Sequence, residues 1–374
     1  MHDTQARTWE RYEDRVRAVL FGITGVLLIA VMVQRSMLPH HPHWTFPVFR
    51  ASFRHLVHQQ NLYAQYAEHD LFKYSPTAAL LLAPFSLLPF APALLLWDTL
   101  NVAALIYALD RLFPQRDSTL ALLLVFPELF ASMQASQSNS LVAAIIVLAF
   151  VALERGEQWR GYLVIALGAA IKIFPLAALS LAIFHPRRVR AACIFAACAV
   201  ALVLLPLAVT TPSMLLSQYQ WWHAIEGVDA LALGASVMRV LHQSLGVEWP
   251  NWPVQLVGVI VLLLPLLHRA RWADAHFRRG YLASLLVFVV IFNHQAERPS
   301  FVIAAAGVAI WFVQSPRDAA RLALVLLSLA GLRAWGYLPV WVVMQGELHG
   351  VLTSSAALIP RRVHPNERRI APVP

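Results

Sequence analysis

Long apolar runs separated by short arginine clusters restrict this chain to one kind of fold. A run of roughly 17 to 25 apolar residues is long enough to cross about 30 Å of hydrocarbon as an α-helix. The runs here are continuous stretches of Leu, Ala, Val and Ile, whereas the strands of a transmembrane barrel alternate in polarity. Only 13% of the residues are charged, about half the share in soluble domains. The sequence therefore predicts an all-α polytopic helical bundle that forms a single integral membrane domain over residues 1–374.

The arginine clusters predict the orientation of this bundle. Basic residues concentrate in the cytoplasmic connections of membrane proteins. If the clusters are cytoplasmic, so are both chain termini, and the polar segments 39–75 and 210–253 are extracytoplasmic loops. Because the basic residues are spread over many connections, the net charge of +9 does not indicate nucleic-acid binding. The clusters begin at Arg7, Arg111, Arg155, Arg187, Arg269, Arg317 and Arg361.

The alternation of basic and polar connections predicts about twelve crossings, within a range of about 11 to 13. This count requires that Thr77 to Ala91 form a broken or re-entrant segment, in which Pro84 and Pro89 interrupt the helix. The apolar run 175–185 is too short to cross unaided as an α-helix. It is the weakest crossing in this prediction.

The first polar loop, residues 39–75, contains a segment with the periodicity of an amphipathic helix. Phe46, Phe49 and Phe53 recur at three- and four-residue spacing, with Arg50 and Arg54 on other faces. We expect such a helix to lie in the membrane interface. A purely structural role for this helix is the alternative to a functional one.

The end of this loop, AEHDLFKYSP, concentrates groups that can do chemistry. It places Glu68, Asp70, Lys73 and Tyr74 where the chain returns to the bilayer. A carboxylate in this position can act as a base, and a neighbouring ammonium can bind phosphate. A solvated charged loop is the alternative interpretation.

Two further stretches combine polar groups with long apolar runs. The stretch QASQSNS supplies Gln134, Gln137 and Asn139, which can hold sugar hydroxyls or cap helix ends. Lys172 stands in the apolar run LGAAIKIFPLAAL, where a charge costs about 3 kcal/mol or more unless it reaches the interface or a partner. Lys172 is therefore a candidate anion-binding residue, with snorkelling beside Pro175 as the alternative.

Another polar cluster lies in the segment VVIFNHQAERPSFVIA, between two apolar runs. It contains Asn293, His294, Glu297 and Arg298, more polar groups than a turn requires. Arg298 can bind two phosphate oxygens at once, and His294 can donate to an oxyanion. One His with a Glu three residues on is weak evidence for a metal site. A self-contained ion pair between Glu297 and Arg298 is the alternative.

Several of these stretches together resemble the family-87 glycosyltransferases. The resemblance rests on KYSPTAALLLAPFSLLP, LLLWDTLNVAALIYAL, SQSNSLVAAIIVLAFVALERGEQWRGYLVIALGAAIKIFP and VVIFNHQAERPSFVIAAAGVAIWF, and it extends from about Phe46 to Phe312. It implies a GT-C-like fold, that of polytopic enzymes that take a sugar, usually mannose, from a polyprenyl phosphate. It also implies transfer on the extracytoplasmic side of a bacterial inner (plasma) membrane, usually with an acidic residue of the first external loop.

One residue departs from the pattern of these relatives. Thr45 occupies a position at the start of the first loop where many of them carry Asp or Asn. The resemblance therefore moves the expected catalytic base to Asp70, which precedes the KYSP stretch. Glu68 is the second candidate for this role.

The residues and the resemblance together predict an inverting hexosyltransferase of the cell envelope, with mannose as the first choice of sugar. Asp70 removes the proton of an acceptor hydroxyl, whose oxygen attacks the anomeric carbon. Cations stabilise the phosphate that leaves; no metal or cofactor is required, although a divalent metal is left open. The partners are a polyprenyl-phosphate sugar donor, a lipid or glycan acceptor and the bilayer. The predicted phosphate ligands are Lys73, Lys172, His294 and Arg298, and the predicted sugar or acceptor ligands are Tyr74, Gln134, Gln137, Asn139, Asn293 and Glu297.

Two other functions stay open at the level of the sequence. A lipid or solute transporter could line its path with Lys172 and the segment 293–298. Transport, however, has no evident need for a long first loop with an acidic end. A GT-C-like scaffold without catalysis is the third possibility, which Thr45 keeps open.

Overall fold

The computed structural model describes residues 2–37 and 45–352, and within these ranges the fold is all-α, as predicted. Residues 39–44 of the first loop and the arginine cluster at Arg361 lie outside the described residues. The α-helices are α1 His2–Met37, α2 Thr45–Val57, α3 Pro76–Leu81, α4 Ala83–Leu87, α5 Phe90–Leu112, α6 Gln115–Ala135, α7 Asn139–Glu154, α8 Gln158–Ile171, α9 Arg188–Leu204, α10 Pro212–Asp229, α11 Val237–Leu245, α12 Asn251–Leu263, α13 Ala275–Ile291, α14 Phe301–Gln314, α15 Ala319–Leu329 and α16 Ala334–His349. Short 3₁₀ helices cover Phe174–Phe184, Leu205–Ala208, Leu264–Leu267, Arg269–Arg271 and Arg298–Ser300.

The centre of the bundle is formed by α7, α13 and α14. Residues 301–313 of α14 and 281–291 of α13 are buried throughout. A helix that is apolar on all sides needs neighbours on all sides. The backbones of α13 and α14 approach closely: a Cβ atom added to Gly307 would lie 2.5 Å from the carbonyl oxygen of Ala283. The absent side chain of Gly307 is therefore what permits this crossing.

The outer helices carry the membrane signal. Long apolar faces of α1 and α9 are exposed, with Val26 and Val200 at 67% and 58% exposure. Apolar surface of this extent is stable against lipid rather than water. In the part of the chain that the structure describes, four segments are long and apolar enough to span a bilayer: Tyr12–Met37, Phe90–Leu112, Gln115–Ala135 and Arg188–Ala208. Shorter apolar helices accompany them, and the predicted number of crossings stays a prediction.

The predicted break between residues 77 and 91 is present as the two short helices α3 and α4. Pro84 lies in the first turn of α4 and Pro89 precedes α5, where a missing backbone N–H removes no helical hydrogen bond. Each proline thus begins a new helix instead of bending an existing one. Neither short helix alone is long enough to cross a bilayer.

The predicted amphipathic helix of the first loop is α2, which packs against α3 and α4. Phe46 and Phe49 are buried in this contact. Arg50 donates hydrogen bonds to the carbonyl oxygens of Phe85, at 3.1 Å, and Leu88, at 2.7 Å. These carbonyls end α4, so Arg50 attaches the first loop to the broken segment.

The predicted second loop, residues 210–253, is folded into α10 and α11. On α10, the side chain of Gln218 donates to the carbonyl oxygen of Gln60 at 2.6 Å and accepts from the backbone N–H of Leu62 at 3.0 Å. Both of these partners belong to the first loop. The two predicted loops are therefore joined into one layer.

The apolar run 175–185 forms the 3₁₀ helix Phe174–Phe184. Its buried residues are Pro175, Ala178 and Leu181. Their three-residue spacing matches the three residues per turn of a 3₁₀ helix. The segment therefore packs one narrow face against the bundle.

Polar and basic residues collect at opposite ends of the same helices. The helix α7 begins at Asn139 and ends beside Arg155. At this second end Arg278 of α13 donates to both carboxylate oxygens of Glu154, at 2.8 and 2.7 Å. The ion pair therefore joins α7 to α13 at the basic end of the bundle.

Candidate active site

A cavity of about 310 Å³ lies between the first loop, α10 and the ends of α6, α8 and α13. We call it the polar cavity because charged and amide side chains form much of its wall. It collects three polar clusters that are far apart in the sequence. The predicted site residues that line it are Asp70, Lys73, Tyr74, Gln137, Lys172, Asn293, His294 and Glu297.

Both lysines of the protein line this cavity. Of the chain's 29 lysine and arginine residues, only Lys73 and Lys172 are lysines, and they meet here. A Lys ammonium is a compact charge with three rotatable donors, which can bind a phosphate oxygen from different directions. Every other residue in the Lys and Arg count of the chain is an arginine, so lysine side chains are confined to this cavity.

Lys172 is held by a row of hydrogen-bonded side chains. It follows the last residue of α8, and its ammonium donates to Oδ1 of Asn139 at 2.6 Å. Nδ2 of Asn139 donates to Oε1 of Gln137 at 2.7 Å, and Nε2 of Gln137 donates to Oε2 of Glu297 at 2.7 Å. Each amide is oriented by one acceptor and one donor. The row therefore links an ammonium to a carboxylate along the cavity wall.

Two aromatic rings flank the ammonium of Lys172. Its Nζ lies 5.8 Å from the ring centroid of Tyr74 and 5.5 Å from that of Phe174, within the range of cation–π attraction. Burial raises the pKa of the Tyr74 phenol, which therefore stays protonated. A protonated phenol can donate a hydrogen bond to a sugar or phosphate oxygen.

The segment that carries Asp70 and Lys73 is fastened to its surroundings by backbone contacts. One carboxylate oxygen of Asp70 accepts from the N–H of Leu71 at 2.8 Å. The indole N–H of Trp222, on α10, donates to the carbonyl oxygen of Lys73 at 3.4 Å. The two charged side chains thus enter the cavity wall from a held backbone.

The connection between α13 and α14 forms the opposite wall. Oδ1 of Asn293 accepts from the N–H of Gln295 at 2.9 Å, and Nε2 of Gln255 lies 3.0 Å from Nδ1 of His294. Gly234 approaches this wall with a positive φ of 51°, and an added Cβ would lie 2.3 Å from the carbonyl oxygen of His294. Only glycine permits both this backbone conformation and this approach.

Sequence reasoning missed the contribution of α10 to the polar cavity. Trp222 and Glu226 line it, and Nε2 of Gln295 donates to a carboxylate oxygen of Glu226 at 3.2 Å. A signal was available: Gln218, Trp222 and Glu226 are four residues apart and share one face of a helix. Their common face is directed to the first loop and the cavity.

Four predicted site residues lie outside the lining of the polar cavity. Glu68 and Gln134 are exposed. Asn139 is fully buried behind the wall, within the row that ends at Lys172. Arg298 is directed to α6.

Arg298 forms an ion pair with Glu128 of α6, at 3.2 Å. Glu128 is only 2% exposed, whereas Arg298 is 46% exposed. Without the cation, a buried carboxylate would lose its partner. Replacing Arg298 by glutamine is therefore expected to lower the free energy of unfolding by about 2–3 kcal/mol, seen as a lower midpoint of thermal unfolding in detergent.

A double variant provides the control for this prediction. Combining Glu128→Gln with Arg298→Gln removes both charges, so most of the lost stability should return. Unchanged stability of Arg298→Gln, together with weaker binding of a lipid phosphate, would contradict the structural role and favour the phosphate role predicted from the sequence.

The polar cavity offers charged groups of both signs. Its carboxylates are Asp70, Glu226 and Glu297, and its ammonium groups are those of the two lysines. Within residues 2–37 and 45–352, no three His, Cys, Asp or Glu side chains form a group that could hold a metal ion. The carboxylates can take part in proton transfer, and the two ammonium groups can stabilise negative charge.

Comparison with known proteins identifies the family. No curated protein matches the chain. The family model for glycosyltransferase family 87 matches residues 72–293, more than half of the 374 residues. The matched range includes Lys73, Lys172 and Glu226 of the polar cavity, whereas Asp70 and Glu297 lie outside it. The chain thus belongs to glycosyltransferase family 87 and is a membrane glycosyltransferase.

Proposed function

We propose that the protein transfers a hexose, mannose in the first instance, from a polyprenyl-phosphate sugar to a lipid or glycan acceptor, with inversion at the anomeric carbon. The observation that carries this proposal is the polar cavity, in which both lysines of the chain and three carboxylates line one space. A lipid-phosphate sugar needs cations for the leaving phosphate and a base for the incoming hydroxyl.

Lys73 and Lys172 are the proposed ligands of the donor phosphate. The bond between the anomeric carbon and the phosphate oxygen breaks as negative charge grows on that oxygen. Fixed cations beside developing charge lower the barrier because they need no reorganisation during the reaction. His294 lines the same cavity and can add a hydrogen bond.

Amide and phenol groups of the wall are the proposed ligands of the sugar. Gln137 and Asn293 line the cavity with Tyr74, and together they supply donors and acceptors for hydroxyl groups. A carboxylate of the wall accepts the proton of the attacking hydroxyl. The sequence predicts Asp70 for this role; Glu226 and Glu297 line the same cavity.

The distribution of charge supports an extracytoplasmic site. The polar cavity lies at the C-terminal ends of α6 and α8, while Arg155 and Arg278 lie at the other end of the bundle. Basic connections face the cytoplasm. On this argument the cavity opens to the opposite side, where lipid-phosphate sugars would be used.

The two lysines allow a direct test of donor binding. Purified protein is treated with an amine acylating reagent in the presence of polyprenyl-phosphate mannose or of the neutral polyprenol, and acylation is measured by peptide mass spectrometry. At a donor concentration about ten times its Kd, acylation of Lys73 and Lys172 should slow about tenfold. The neutral polyprenol should give no protection, because it has no anion for the ammonium groups.

A transfer assay completes the test. Radiolabelled polyprenyl-phosphate mannose and a membrane lipid extract should give a labelled product with the wild-type protein. Equal protection by the donor and the neutral polyprenol would contradict phosphate binding in the cavity. Protection without any labelled product would contradict transferase activity toward this donor and favour transport.

A further inference from the structure

A second cavity, of about 260 Å³, adjoins the polar cavity. We call it the Arg35 cavity. The two cavities share three lining residues, Thr45, Gln137 and Glu297. These residues form a junction at which a molecule in one cavity can meet a molecule in the other.

The walls of the Arg35 cavity suit an amphipathic molecule. Phe46, Phe90 and Leu94 give it an apolar surface, and Arg35 adds a guanidinium. Arg35 donates to the carbonyl oxygen of Gln134 at 2.5 Å. A guanidinium has five N–H donors, so it can bind a phosphate oxygen and keep this contact. The chemistry of the cavity thus fits a lipid that carries an anionic group.

Of the three residues at the junction, only Glu297 can accept a proton at neutral pH. The hydroxyl of Thr45 and the amide of Gln137 are not bases in this range. Asp70 and Glu226 line the polar cavity but not the Arg35 cavity. A base between two substrates must reach the oxygen of one while the other is in place. Of the three carboxylates that line the polar cavity, only that of Glu297 also lines the Arg35 cavity and can therefore lie between the two substrates.

Glu297 is held in position from two sides. It is the N-cap of the 3₁₀ helix Arg298–Ser300: its backbone N–H donates to Oγ of Ser300 at 3.2 Å, and its backbone carbonyl oxygen accepts from the N–H of Ser300 at 3.0 Å. Nε2 of Gln137 donates to its carboxylate at 2.7 Å. Through Gln137 and Asn139 it is connected to Lys172. The same row of side chains therefore positions a carboxylate at the junction and an ammonium in the polar cavity.

We propose that the Arg35 cavity binds the acceptor, an anionic lipid with a free hydroxyl group, and that Glu297 accepts the proton of that hydroxyl. This proposal rests on the proposed glycosyl transfer. The hydroxyl oxygen forms the bond to the anomeric carbon, and its proton passes to the Glu297 carboxylate. The bond from the anomeric carbon to the phosphate breaks, and its electron pair leaves with the phosphate. Atoms and charge balance without a further reactant.

The first test compares three carboxylate variants in the transfer assay. Glu297→Gln preserves the size of the side chain, its amide oxygen can still accept from Gln137, and the backbone contacts with Ser300 are unchanged, so the fold should persist. We expect kcat to fall at least about a hundredfold, with donor protection of the two lysines unchanged. Asp70→Asn should lower kcat by less than Glu297→Gln does, because Asp70 lines the polar cavity but not the Arg35 cavity. Glu68→Gln, exposed and outside the lining of both cavities, is the surface control.

The second test concerns the acceptor. The membrane lipid extract is separated into anionic and neutral lipids by anion exchange, and each fraction is offered with the labelled donor. Labelling should follow the anionic fraction. Arg35→Gln should raise the acceptor KM at least about tenfold, the value of about one charge-assisted contact, while donor protection of the lysines stays as in the wild type.

These outcomes separate this proposal from the proposed function. A wild-type protein that labels nothing and shows no donor protection would remove the transferase proposal itself. Labelling confined to the neutral fraction, or an acceptor KM that Arg35→Gln leaves unchanged, would overturn the acceptor site. Full activity of Glu297→Gln, or its loss of donor protection, would overturn the role of Glu297 as the base. Inactive Asp70→Asn with active Glu297→Gln would assign that role to Asp70.

Discussion

Replacing Lys172 by methionine is expected to reduce sugar transfer by about a hundred- to a thousandfold, the usual effect of removing one fixed group that stabilises charge in a transition state. Methionine is unbranched and flexible, so it can fill the space of the lysine stem between Tyr74 and Phe174. What is lost is the ammonium that donates to Asn139 and lines the polar cavity. The measurement is kcat with radiolabelled polyprenyl-phosphate mannose and membrane lipid extract.

Lys73→Met is the matched control because it removes the other lysine of the same cavity. Lys73 is exposed, whereas Lys172 is partly buried. Because water screens an exposed charge, the ammonium of Lys73 stabilises negative charge on the leaving phosphate less than a buried ammonium does. We therefore expect a smaller loss of kcat for Lys73→Met. The opposite order, at equal thermal stability of the two variants, would place the donor phosphate at Lys73 and contradict the central role of Lys172.

Replacing Gly307 by valine is expected to give the largest loss of stability, about 3 kcal/mol, because it overpacks a buried crossing. The added Cβ would lie 2.5 Å from the carbonyl oxygen of Ala283. A backbone atom inside a packed helix cannot turn away as a side chain can. The helices α13 and α14 must then separate at the centre of the bundle. The midpoint of thermal unfolding in detergent measures this effect.

Gly22→Val is the control for this variant. Gly22 lies on the outer helix α1, where an added Cβ meets no atom within 4 Å. Both substitutions remove a helical glycine and add the same side chain, so they differ mainly in the space available. Equal unfolding midpoints for the two variants would contradict the close crossing of α13 and α14.

The helices and the membrane character could be predicted because both depend on local composition. The break at Pro84 and Pro89 follows from the missing N–H of proline, and it appears as α3 and α4. The periodicity of Phe46 and Phe49 predicted α2. For Lys172, the high cost of a charge in an apolar run required either the interface or a partner; in the structure its ammonium donates to Asn139, and its anion-binding role stays a prediction.

The pairing of charged groups could not be predicted because it depends on contacts between distant segments. Glu297 and Arg298 are neighbours in the sequence, and a mutual ion pair was the simple alternative. In the structure Glu297 accepts from Gln137, and Arg298 binds Glu128 on another helix. The place of Glu226 likewise depends on how α10 meets the loop of residues 293–297, which no local pattern specifies.

The two-cavity arrangement was also beyond the sequence. A cavity depends on how distant segments pack against one another, so no local sequence pattern indicates where it will form. Thr45 was notable only as a departure from the relatives that the chain resembles. Its position at the junction with Gln137 and Glu297 depends on α2 being attached to α3 and α4 through Arg50.

The 3₁₀ form of Phe174–Phe184 changes the length that its residues can reach. A 3₁₀ helix rises about 2.0 Å per residue and an α-helix about 1.5 Å. These 11 residues therefore extend over about 22 Å, where an α-helix of the same length would extend over about 16 Å. If the rise per residue of an α-helix is assumed, the length of this segment is underestimated by about a quarter. The 3₁₀ form thus lets the segment between Lys172 and the basic end of the bundle extend further through the hydrophobic layer with the same number of residues.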